Sequence, residues 1–190
     1  MGYPDPSRLG ANCAVPAAKD MSMETLPLSL FQRLPKVDLH VHLDGSMRLQ
    51  TVLELAREQH VQLPAQDEAG LGEAMSLGKN TGSLVEYLKA FDVTLSVLQT
   101  QEALYRATYE LAEDAAAENV RYMEVRYSPM LHTRQGLRLT QVVETVLKAA
   151  HDGGLAFGVE TRIILCGIRN ISPQSSLEMA ELVVAHSDFA

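Results

Sequence analysis

The stretch KVDLHVHLDG, residues 36–45, places two histidines one residue apart in an apolar run and follows them with Asp44 and Gly45. Side chains two apart on a strand point to the same face. His40 and His42 therefore present two imidazoles side by side, close enough to bind one metal ion. Imidazole suits zinc, and an open catalytic zinc site commonly combines three protein ligands with a water. Such an ion lowers the pKa of its bound water from about 15.7 towards about 7, which makes hydroxide available at neutral pH. A lone histidine in an apolar run is more often a hydrogen-bonded core residue, but an H-x-H pair at a strand end followed by L-D-G favours the metal. Asp44 has three readings: it takes a substrate hydroxyl, it supports the metal ligands from behind, or it caps the next helix.

Other chemistries find no support. GEAMSLGKN (72–80) resembles a phosphate loop, but five residues rather than four separate Gly72 from Gly78, and Asn80 replaces the Ser or Thr that holds magnesium. H-E-x-x-H, H-x-E…P-C-x-x-C and G-x-S-x-G do not occur. Glu124 and Arg126 alternate with apolar residues, and a structural ion pair is expected there, with each other or with Arg162. His60, His132, His151 and His186 show no ligand spacing and receive no role. The formal charge of −8 over 190 residues argues against a nucleic-acid surface. No apolar run is long enough for a membrane span, and the first thirty residues lack a signal-peptide core, which points to the cytoplasm. Cys13 and Cys166 read as two reduced thiols.

These residues need elements to hold them. Residues 1–26 show no sustained periodicity and read as a mobile tail, with Met21 and Met23 as alternative starts. From Pro35 strands and helices alternate. KVDLHVHL is the first strand, and a helix over 49–59 carries Val52, Leu55 and Ala56 on one face. Residues 60–82, with glycines at 70, 72, 78 and 82, read as a loop-rich stretch. Ser83 and Glu86 then form a capping box ahead of Leu84, Leu88, Phe91, Leu95 and Leu98. A third helix is expected over 101–118 and a second strand over 120–128. Thr140 caps a helix that Gly153 and Gly154 terminate. A third strand covers 157–170, and Ser172 with Pro173 opens a last helix over 173–185. Strands separated by helices predict parallel pairing, with ligand chemistry at the carboxyl ends. His40, His42 and Asp44 lie at such an end, as do Ser128 and Arg169.

LPKVDLHVHLDGSMR, EYLKAFD, RYMEVRYSP and TRIILCGIRN occur in the order and approximate spacing of the adenosine deaminase family, and the chain resembles it from Leu34 to Leu182. The resemblance implies an α/β fold, a (β/α)8 TIM-type barrel binding one zinc ion, of which this chain holds about three strand–helix units over 27–190. It implies hydrolytic deamination of adenosine and 2′-deoxyadenosine to the inosine form with release of ammonia. His40 and His42 match zinc ligands, and His42 also lies against substrate. Asp44 matches the acid that takes the ribose 5′-hydroxyl. Leu84, Tyr87, Leu88 and Phe91 match the helix that walls the pocket entrance. The family's H-x-G-E, which supplies a third histidine and the general-acid glutamate, is absent from the sequence, as is its Asp-Asp pair. The expectation is a truncated form with half a zinc site, inactive alone. Asp44 favours an unphosphorylated nucleoside, while free adenine and N6-methylated nucleotides are alternative substrates. A non-catalytic half-barrel that pairs with a second chain is the competing reading.

Overall fold

The computed structural model describes residues 26–75, 84–169 and 171–187, with the side chains of 84–90 excepted. The expected tail up to residue 25 and the capping residue Ser83 lie outside the described residues. Three strands, β1 (Lys36–His42), β2 (Val120–Tyr127) and β3 (Glu160–Leu165), pair in parallel in the order β1-β2-β3. Between β1 and β2 run α2 (Leu49–Glu58), α3 (Glu68–Met75), α4 (Leu84–Val97) and α5 (Gln101–Ala117). The helix α6 (Leu139–Phe157) joins β2 to β3, α7 (Pro173–Ala185) follows β3, and the short α1 (Leu28–Arg33) precedes β1.

Local signals explain most boundaries. The Thr100 side chain accepts the Ala103 N–H and opens α5, and the Ser172 side chain accepts the Ser175 N–H and opens α7 with Pro173 in the first turn. Three expectations need correction. A helix, α3, forms inside the stretch read as loop-rich, because Asp67 Oδ1 accepts the Gly70 N–H at 2.8 Å and Leu71 is fully buried. Helix α6 begins at Leu139 rather than after a Thr140 cap, and it runs through Gly153 and Gly154 to end at Gly158, which adopts φ 73°. Gly153 serves packing instead: a Cβ there would come within 2.8 Å of the Ala112 Cβ on α5. The third strand is shorter than expected, Glu160–Leu165, since the flanking residues of 157–170 end α6 and form the exit loop.

One face of the sheet is covered. Met123, Val125 and Tyr127 of β2, with Val41 and Leu43 from β1 and its exit and Ile163 and Leu165 of β3, pack on Val52, Leu104, Ala107, Val142 and Val146 of the helices. The other face carries Tyr122, Glu124 and Arg126, beside Glu160, Arg162 and Ile164 in register. On it the expected pairing of Glu124 with Arg126 or Arg162 does not form. Tyr122 Oη donates to Glu124 at 3.0 Å and Arg162 pairs with Glu160 at 2.7 Å. Each takes the neighbour two residues along its own strand, which shares its face.

Strand β1 is irregular where it matters. Val37 stands opposite Tyr122 and Asp38 opposite Met123, but Val41 stands opposite Val125 and His42 opposite Arg126. Leu39 and His40 thus oppose the single residue Glu124, which is a β-bulge. A one-residue offset exchanges the faces of every later side chain. It sends Val41 and Leu43 into the core and turns His42 onto the open face, while Val37 and Leu39 stay 61% and 56% exposed.

Candidate metal centre

His40 and His42 emerge at the carboxyl end of β1 with ring centroids 5.4 Å apart and planes inclined by 34°. Two imidazoles bound at about 2.1 Å to one tetrahedral ion have ring centres about 5 Å apart, so the pair fits two ligands of a single zinc. Among the described residues no group of three or more His, Cys, Asp or Glu side chains is arranged to hold a metal ion.

Immediately after β1 the chain turns. The Ser46 hydroxyl donates to the His42 carbonyl at 2.6 Å, and Asp44 folds under the histidines, 7% exposed. Its Oδ1 lies 3.9 Å from His42 Nδ1 and has no hydrogen-bond partner among the described residues. Burial pushes the Asp44 carboxyl above its usual 3.8, against the opposing pull of His132, His42 and the backbone N–H groups of Asp44 and Gly45. Gly45 leaves room for a helix: a Cβ there would meet Phe91 Cε1 at 3.2 Å and His42 Cβ at 3.3 Å. The Phe91 ring stands edge-on to His42, centroids 6.0 Å apart. Helix α4 thus reaches the histidine pair through Phe91 and enters the core through Leu95, as its spacing implies. The side chains of Leu84, Tyr87 and Leu88 lie outside the described residues.

One residue was missed from sequence. His132 sits in the 3-10 turn Pro129–His132 after β2 and is fully buried. Its Nδ1 donates to the Leu98 carbonyl at 2.9 Å, so in the neutral ring Nε2 is a bare acceptor. Burial holds its pKa below the usual 6.5, with the Leu98 carbonyl and Asp44 opposing and Arg134 assisting. Tyr127 packs on it, centroids 5.7 Å apart, and the Tyr127 Oη, Ser128 Oγ and His132 Nε2 are buried without hydrogen-bond partners among the described residues. No motif spacing marks His132; only its place just past the carboxyl end of a strand could have found it. Arg169, also beyond a strand end, is exposed.

Among the described residues no helix is long and apolar enough to cross a membrane. The family model for adenosine deaminase matches residues 35–190. A probable adenosine deaminase of Dictyostelium discoideum is 44% identical over 157 residues, which cover 83% of this chain and 20% of that protein. An adenosine deaminase of Clostridium botulinum is 38% identical over 151 residues, covering 80% of this chain and 46% of that one. The chain thus spans about half the length, or less, of the curated relatives it matches. Among solved structures, the adenine deaminase of Arthrobacter aurescens superposes with TM-score 0.71 at 29% identity, over 80% of this chain and 46% of that one. The Arabidopsis ADAL protein complexed with GMP gives 0.71 at 30%, over 85% and 49%. An amidohydrolase from Burkholderia ambifaria with bound Zn gives 0.70 at 25%, over 83% and 42%. The three parallel strands and their helices are thus part of a TIM-type barrel, and the chain belongs to the adenosine deaminase family.

Proposed function

We propose that this chain carries the β1 side of a zinc-dependent purine aminohydrolase acting on adenosine and 2′-deoxyadenosine. The observation that carries the reading is the imidazole pair of His40 and His42, set at ligand spacing on the open face above the buried carboxylate of Asp44. Bound Zn in the Burkholderia relative supports the choice of metal.

When bound, zinc activates a water for addition to the purine carbon that carries the amino group. His40 and His42 would hold the ion through imidazole nitrogens. Asp44 is an acceptor at the floor beside them and binds a neutral hydroxyl of the substrate, a contact that a phosphate, itself anionic, would lose to repulsion. Purine nucleotides are bound by a structural relative, so this discrimination is a property to measure. Phe91 walls the site against water on the α4 side. The general-acid glutamate and the third histidine of H-x-G-E are not among these 190 residues. The chain by itself is therefore expected to bind zinc weakly and to release no ammonia.

The test is an ammonia-release assay on the purified chain with zinc and adenosine, beside a calorimetric titration with Zn2+ alone. Zinc binding lost in both His40→Ala and His42→Ala supports the reading, and zinc binding that persists in both sinks it. Turnover that vanishes in His42→Ala would mean that groups from a second chain complete the site. The half-barrel reading is favoured by one observation, the exposure of Val37 and Leu39 on the open sheet face.

A further inference from the structure

The β1 bulge decides which way the histidine pair faces, and two side chains outside the pair hold it. A bulge leaves backbone groups of the extra residue without their ladder partners. Here Asp38 Oδ1 accepts the His40 N–H at 3.0 Å, and Arg126 Nη2 donates to the Leu39 carbonyl at 3.3 Å. The two contacts grip the N–H and C=O on either side of the Leu39–His40 peptide bond, between the points where the register shifts. Arg126 reaches across from the residue opposite His42.

We propose that Asp38 and Arg126 form a clamp on this peptide and are positioning residues for the metal ligands, fixing the bulge that turns His40 and His42 together onto the open face. The proposal rests on the reading of His40 and His42 as metal ligands. The physical reason is the period of the strand. Counted without the extra residue, the alternation that begins at Val37 on the open face would put Val41 on the open face and His42 among the helices. Keeping the bulge is therefore equivalent to keeping the site. Neither side chain touches the reacting centre on this account. Asp38 acts through one N–H and Arg126 through one carbonyl. The charge of Glu124, opposite the bulge, is occupied by Tyr122, which leaves Arg126 to the Leu39 carbonyl.

The experiment uses the 190-residue chain and compares it with Asp38→Ala, Asp38→Asn, Arg126→Met and Arg126→Lys. The first readout is the proton cross-peak between the His42 and Phe91 rings, which face each other only when His42 lies on the open face, with cross-peaks between Val125 and Ile163 reporting the rest of the sheet. The second is affinity for Zn2+ alone. Asp38→Ala and Arg126→Met are expected to lose the ring cross-peak, keep the sheet cross-peaks and bind zinc about ten- to a hundredfold more weakly, the usual cost of removing a group that orients a ligand. Asp38→Asn retains an acceptor and Arg126→Lys a donor, and both are expected to restore the cross-peak. A ring cross-peak that survives Asp38→Ala and Arg126→Met overturns the clamp, as does zinc affinity left unchanged when the cross-peak is lost. Asp38 is exposed and Arg126 half-buried, so folding is not at stake in both; should one variant fail to fold, the other decides. A wild-type chain that binds no zinc defeats the ligand reading, while the ring cross-peak still decides the clamp.

Discussion

His132 links the floor of the site to the helix that walls it. Its Nδ1–H is fixed by the Leu98 carbonyl beyond the end of α4, and it lies near enough to Asp44 for each to bias the other's protonation. The folded ring takes a proton less readily than the unfolded one, because burial depresses its pKa below 6.5. Stability linked to this residue is therefore complete above about 6.5 and is lost as pH falls towards the depressed folded value. The groups that act on it, Asp44 favouring protonation and Arg134 opposing it, reduce but do not reverse that sign. Replacing His132 by Asn, whose amide N–H can still donate to the Leu98 carbonyl, is expected to cost about 1–3 kcal/mol at pH 7 through the space left by the smaller side chain, and the variant is expected to lose less stability than wild type between pH 7 and 5. Urea midpoints at the two pH values check it. A wild-type chain whose midpoint rises on acidification while that of His132→Asn does not would reverse the assignment.

At the scale of elements, α5 and α6 pack closely at Gly153. The glycine makes this possible, since a Cβ there would lie 2.8 Å from that of Ala112, a backbone-anchored atom with no flexible end to move. Gly153→Ala is therefore expected to push the helices apart and to cost about 1–3 kcal/mol, an overpacking penalty that outweighs the gain in helix propensity of about 1 kcal/mol. Thermal or urea denaturation measures it, and a stabilised Gly153→Ala would show that the pair has slack. The loop after β2 is fastened to the α4–α5 corner in a related way. The Gln99 side-chain amide donates to the Leu95 and Leu131 carbonyls at 2.7 and 2.9 Å and accepts the Arg134 N–H at 2.9 Å. Gln99→Ala leaves those three backbone groups unpaired and is expected to cost about 2–3 kcal/mol, with amide exchange at Arg134 as its local readout.

The whole sheet is covered on one face and open on the other. Val37 and Leu39 on the open side, and Val183 and Val184 on α7, stay 61%, 56%, 47% and 74% exposed. Each such side chain forgoes roughly half or more of the about 1.5–3 kcal/mol that full burial gives, and both β1 and β3 pair on one side alone within the sheet. Unpaired strand edges next to apolar surface drive association. The chain is expected to gain apparent mass with concentration in sedimentation and to bind an apolar dye. Val183→Lys with Val184→Lys is expected to reduce both, whereas equal association by that double variant would shift the sticky surface to the open face of the sheet.

The sequence alone was sufficient for the three strands and the longer helices between them, for parallel pairing, and for the side-by-side imidazoles, but not for α1 and α3. Those depend on period, capping residues and short motifs, all encoded within a few positions, as with Ser172 and Pro173 at the start of α7. It also carried the family resemblance, since the motifs keep their order. What tertiary contact decided lies between segments far apart in the chain. Helix α6 passes through Gly153 because α5 lies against it, and α3 forms because Leu71 finds a core. His132 gains meaning from Leu98 and Asp44, which no spacing rule connects to it. The alternation of β1 read correctly that His40 and His42 share a face, but which face depended on one extra residue opposite Glu124. A bulge is defined by the partner strand, and so its direction was fixed only when β2 paired with β1.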